Sequence, residues 1–225
     1  MNNSPGSDLR QQALEVHQRL LNYYGIPTWQ PGLSPISELI STILSQNTND
    51  LNRDRAFRRL QATFPTWEKV RDAELEKVVD AIRSAGLGNQ KGQHIQAVLR
   101  EITAQRGHLE LDFLKAIPRT EALAWLQQFK GVGPKTAAIV LQFSLGIPAM
   151  PVDTHIYRIT GRIGLRPERM SVEQTHTQLE SLLPPETYPA AHLNLIRLGR
   201  EICHPRQPDC PACPLNDLCE YALWQ

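Results

Sequence analysis

Phe129-Lys130-Gly131-Val132-Gly133-Pro134-Lys135-Thr136-Ala137 decides the fold of this chain. Before it, Ala122, Trp125, Leu126 and Phe129 recur at helical spacing, so one face of a helix is apolar. Gly131 stops that helix, because glycine adopts the left-handed cap conformation at little cost. After it, Pro134 suits the first turn of a second helix. Ala137 to Leu145 is apolar nearly all round, which means burial. Two helices joined by Gly131-Val132-Gly133 form a tight helical hairpin. The glycines permit positive φ and close approach of another backbone. Amides of the turn and of the next first turn point outwards and suit a phosphate. An ordinary αα-hairpin with glycine caps shows the same turn, so the turn alone does not assign a function.

Lys135 adds chemistry. A lysine in the first turn of a helix faces the positive end of the macrodipole, which is unfavourable by about 0.3–1 kcal/mol. The apolar helix behind it limits solvation. Both effects disfavour the cation, and the neutral amine is a nucleophile suited to Schiff-base chemistry. The alternative is a solvated lysine that touches phosphate. Asp153, within Pro151-Val152-Asp153-Thr154-His155, reads as the N-cap of the helix that follows. It also reads as a general base or a stabiliser of developing positive charge, and one residue can serve both purposes. His155 reads as structural.

The four cysteines of the chain, Cys203, Cys210, Cys213 and Cys219, have the spacing C-x6-C-x2-C-x5-C. Four thiolates so close in sequence converge on a tetrahedral zinc ion or on a [4Fe–4S] cluster, or else form two local disulfides. Zinc sites more often show two close pairs, and here only Cys210 and Cys213 are close. Arg206 lies in the first gap, placed either to face phosphate or to be solvated.

The 225 residues suffice for one large domain or two small ones. Hydrophobic residues make up 41%, charged residues 21%, and the net charge is +1, so any face for nucleic acid is local. No stretch approaches the ~18 apolar residues of a membrane span. Met1 to Asp8 lacks the pattern of a signal peptide and reads as a frayed tail on a cytoplasmic protein. A reducing compartment favours ligation over disulfides. The pattern is helical throughout. Ser34-Pro35 caps a run of Ile36, Leu39, Ile40, Ile43 and Leu44. Helices are expected over 51–64, 74–82, 92–106, 154–163, 171–183 and 189–202, with no strand. The fold class is all-α, in two helical lobes.

These residues resemble endonuclease III, a helix–hairpin–helix DNA glycosylase family. The likeness is carried by 129–137, by Val152-Asp153-Thr154-His155 and by the four cysteines in the family's spacing. Leu44-Ser45-Gln46-Asn47-Thr48, Gly86-Leu87 with Lys91, and Leu198-Gly199-Arg200 extend it. The resemblance implies a six-helix barrel lobe over 27–147. It implies a second lobe from 1–26 and 148–225, with a [4Fe–4S] loop at 203–219. Damaged double-stranded DNA would lie between the lobes, served by a monomer in the cytoplasm at the nucleoid. Lys135 would be the nucleophile and Asp153 its partner. Gln46 and Leu87 would plug the base stack, and Lys91, Gly131, Gly133 and Arg206 would contact DNA. The activity implied is removal of oxidised pyrimidines and β-elimination at the abasic site. Gly88, where the family often has tyrosine, and Asn47, in place of a small residue, are departures. A mismatch-type glycosylase of the same fold and a non-catalytic DNA-binding or redox module are the rival readings. An adenine-specific relative would need a carboxylate just before Gln46, where Ser41 to Ser45 offer none.

Overall fold

The computed structural model describes residues 5–28 and 32–223, and the regular elements among them are all helical. The chain forms two compact units, residues 31–147 and residues 1–30 with 148–225. The sequence had suggested 26/27 for the first division.

The 31–147 unit is built around α2 (Pro35–Ser45), whose residues are buried almost all round. Ser34 caps it by accepting from the Ser37 amide, with Pro35 in the first turn. Against α2 pack α3 (Asp50–Thr63), α6 (Gly88–Arg106) and α8 (Pro134–Val140). Two short helices, α4 (Trp67–Asp72) and α5 (Leu75–Ala81), lie on α6. The remaining helix, α7 (Arg119–Gln127), leads into the hairpin turn and packs on α8. Two polar side chains enter the buried face of α6. Gln96 donates to the carbonyls of Val70 and Ala73, satisfying the open end of α4. Lys91 does the same for two other helix ends, described below. The apolar run after the hairpin does not stay α-helical: Leu141–Leu145 widens into a π turn that ends at left-handed Gly146.

The other unit holds α1 (Pro5–Tyr24), α9 (Thr154–Arg162), α10 (Val172–Leu182), α11 (Tyr188–Glu201) and α12 (Glu220–Leu223). Its core joins Ala13, Val16 and Leu20 of α1 to Ile156 and Ile159, to Leu179, and to Leu195 and Leu198. A capping box of Ser171 and Gln174 opens α10.

The structure departs from the sequence reading in further places, among them helix α1, where no helix was expected. Pro5 to Asp8 belong to α1 and are not a frayed tail, while residues 1–4 lie outside the described residues. Helix α6 begins at Gly88, four residues before the expected start, because Leu87 serves as its N-cap. Helix α4 was not anticipated.

Candidate active site

In the 31–147 unit, three loops gather. The hairpin turn is the first. Gly131 has φ +88, and a Cβ there would stand 2.5 Å from His94 Nδ1, so glycine is required twice over. Gly133 differs from expectation. Its φ of −90 is open to any residue, and a Cβ would meet nothing within 4 Å. What glycine contributes at 133 is open space in front of the turn. Lys135 follows as the second residue of α8, half-buried, and its ammonium bonds to no other described residue.

The second loop follows α2. Gln46 ends the helix and donates its side-chain N–H to the Gly131 carbonyl at 2.9 Å, so this side chain braces the hairpin from within. Asn47 is exposed and left-handed, with φ +51. The third loop precedes α6. Leu87 also has φ +51 and is 52% exposed. A bulky residue in this conformation is strained by about 1–2 kcal/mol. The strain holds an apolar side chain out in water. Gly88 has a packing reason of its own, since a Cβ would lie 3.2 Å from Val79 Cγ1.

Lys91 is not a DNA contact, contrary to the sequence reading. It is 2% exposed, and Nζ donates to the carbonyls of Leu44 at 2.8 Å and Ala85 at 2.7 Å. Burial lowers its pKa. An ammonium held inside by backbone oxygens cannot reach a phosphate.

The other unit presents Asp153. It caps α9, with Oδ1 accepting from the Ile156 amide at 2.8 Å. The segment before it is gripped from α10 and α11. His176 Nδ1 donates to the Met150 carbonyl and His192 Nδ1 to that of Pro151, each at 2.9 Å, and the Met150 amide donates to Glu180. Burial holds His176 below its ordinary range, opposed by the Met150 bond. Nothing in the sequence marks these three residues, because their partners are backbone atoms distant in sequence. Arg158 and Arg162, also unanticipated, do carry a signal: they stand four apart on α9, one face of a helix. Arg158 donates to the carbonyls of Gly199 and Cys203. Arg162 reaches the sulfur of Cys203 at 3.2 Å and the carbonyls of His204 and Pro205, and stacks on Tyr221.

The four cysteines are unpaired thiols, and all four line one small pocket with Arg162, Ile202 and Tyr221. Burial pushes Cys213 up to about 11, with the other three cysteines adding to the rise. Among the described residues, no three His, Cys, Asp or Glu side chains are grouped so as to hold a single metal ion. Arg206 is exposed and bonds to no described residue. Among the described residues, no helix is long and apolar enough to cross a membrane.

The family of HhH-GPD superfamily base excision DNA repair proteins matches residues 40–185. Endonuclease III of Thermotoga maritima is 34% identical over 187 residues, 83% of each chain. Endonuclease III of Escherichia coli K12 is 32% identical over 209 residues, 92% of this chain and 94% of that one. An Arabidopsis thaliana protein named "Putative DNA glycosylase" is 39% identical over 153 residues, which span 68% of this chain and 52% of its own length. Among solved structures, a trapped endonuclease III–DNA covalent intermediate superposes with a TM-score of 0.83 at 28% identity, covering 96% of this chain and 97% of that one. A thermostable thymine-DNA glycosylase, at 20% identity and a TM-score of 0.80, shares the fold. The two-glycine hairpin followed by a lysine, the strained leucine and the four-thiol loop thus sit in a chain that belongs to the HhH-GPD superfamily of base excision DNA repair proteins, as a homologue of endonuclease III.

Proposed function

We propose that this protein is a bifunctional DNA glycosylase and abasic-site lyase acting on oxidised pyrimidines in duplex DNA. The observation that carries the reading is Lys135, an unpaired and half-buried amine in the first turn after the hairpin. It stands in a homologue of endonuclease III. The damaged nucleotide leaves the stack, since its anomeric carbon cannot be reached inside the duplex. The Lys135 amine bonds to that carbon. The glycosidic bond breaks, and the base departs with the bonding pair and takes up a proton. Asp153 offsets the positive charge that develops on the sugar. The nitrogen passes one of its two protons to the ring oxygen as the C1′–O4′ bond breaks, leaving the opened sugar joined to Lys135 as an iminium that keeps the other proton. Loss of a proton from the neighbouring carbon then expels the 3′ phosphate.

Leu87 and the Gln46–Asn47 loop fill the space the nucleotide leaves. Gly131, Gly133 and Arg206 receive the backbone. The protein acts as a monomer in the cytoplasm, at the nucleoid. Cys203, Cys210, Cys213 and Cys219 hold a [4Fe–4S] cluster, whose contribution is to order the loop bearing Arg206.

Borohydride reduction on a duplex with one thymine glycol tests the chemistry. A covalent adduct is expected with the wild type, and none with Lys135→Ala, which still binds the duplex. An adduct of undiminished yield in the variant would remove Lys135 from its role. Product without any adduct would make the enzyme monofunctional.

A further inference from the structure

Lys91 is among the largest side chains wholly inside the 31–147 unit. Burial lowers its pKa, and among the described residues no carboxylate pairs with its ammonium. A methionine would fill the same space, and replacing a buried charge by an apolar side chain is often neutral or stabilising. Filling space therefore does not explain a lysine. Its two bonds do. Leu44 lies in the last turn of α2, where carbonyls have no helical partner. Ala85 ends the 3-10 turn Arg83–Ala85. One ammonium joins these two ends at 2.8 and 2.7 Å.

Each bonded carbonyl lies two or three residues from a left-handed residue, Asn47 beyond Leu44 and Leu87 beyond Ala85. Two further bonds extend the arrangement. Gln46 ties the first loop to the hairpin at Gly131, and Ser84 Oγ donates to the Asn52 carbonyl at the start of α3. The hairpin, the α2 exit and the α6 entry are thereby stitched into one rim by three side chains.

We infer that Lys91 is a positioning residue for base eversion: it sets the spacing between the loop that presents Gln46 and Asn47 and the loop that presents Leu87. The inference rests on the glycosylase reading above. Lys91 touches neither DNA nor the reacting atoms. It acts by holding two loops, each with a left-handed residue at its tip, at a fixed separation, so that both enter the stack together. Its loss therefore weakens steps that require a base to be pulled out, and spares steps on a sugar with no base to extrude.

The test compares wild type, Lys91→Met and Lys91→Arg, the last keeping donors on a longer arm. Single-turnover cleavage is measured on a thymine-glycol duplex and on a duplex with a preformed abasic site. A 2-aminopurine beside the lesion reports unstacking. The expected result for Lys91→Met is at least a tenfold loss on thymine glycol and less than threefold on the abasic site. The unstacking signal falls with it, and Lys91→Arg lies between. Equal losses on both substrates, or none, would overturn the inference. Should Lys91→Met not fold, Lys91→Arg is read alone, and the same split or its absence decides.

Should the wild type cleave and trap neither substrate, the glycosylase reading fails by itself. The positioning role is then read from hydrogen exchange of Lys91→Arg. Faster exchange confined to the amides of 45–48 and 86–89 upholds it, and unchanged exchange there overturns it.

Discussion

Gly131 and Gly133 stand two residues apart and are glycine for different reasons. The first is confined by φ +88 and by the His94 ring, while the second faces open space. Gly131→Ala is expected to lose about 1–3 kcal/mol of stability, since it combines a strained conformation with a contact that forces His94 to move. Gly133→Ala is expected to stay within about 1 kcal/mol, the difference between glycine and alanine at an N-cap. It should nonetheless bind duplex DNA several-fold more weakly. Urea unfolding and fluorescence anisotropy separate the two, and a Gly133→Ala variant with undiminished affinity would mean that no backbone approaches there. At this scale the sequence is legible where a residue type is rare in its setting. A lysine in a first turn and a carboxylate at a cap both stand out. Lys91 was placed at the DNA by resemblance alone, and its sequence neighbours, Gly88-Asn89-Gln90 and Gly92-Gln93, being small or polar, give no sign of its burial. Only α2 and the Arg83–Ala85 turn, both distant in sequence or bent back, put it inside.

Helix α9 shows how an element concentrates function. Its nine residues span about 13 Å at 1.5 Å per residue. Asp153 caps one end and Arg162 closes the other, with its guanidinium on the Cys203 sulfur. Hydrogen bonds to a ligand sulfur and the packing around it govern how firmly a cluster is held. Arg162→Gln is therefore expected to release iron to a chelator several times faster than the wild type, as followed by iron analysis over time. Wild-type protein without iron would refute the cluster itself, and equal release rates would remove Arg162 from its support. Helices such as α2 and α10 were legible because their apolar periodicity and caps agree, as at Ser34-Pro35 and Ser171, whereas α1 was not among the expected helices. Helix α4 was not, since six residues give too little period to detect. The π turn at Leu141–Leu145 was invisible because an all-apolar run carries no phase.

For the molecule as a whole, three imidazoles, His17, His94 and His176, are held below 6.5, burial being the main cause in each. The unfolded chain binds more protons than the folded one once pH falls below 6.5. Their contribution to stability is thus complete above that value. It is lost as pH falls from 6.5 towards each lower folded value. The melting temperature is expected to drop across this window, and His176→Asn is expected to flatten the drop. An unchanged slope in the variant would exclude His176 as a source.

The division into units has another consequence, for the order in which a ribosome delivers the chain. Helix α1 belongs with residues 148–225, yet all of 31–147 is made in between. At ~5–20 residues per second, Ala13, Val16 and Leu20 wait roughly 9 to 36 seconds until the last of the helices that will cover them, α11, has been made. During that interval the middle unit has everything it needs in hand, and the leading helix does not. Helix α1 is thus made before the 31–147 unit and buried after it, and it travels through that interval as an exposed apolar stripe.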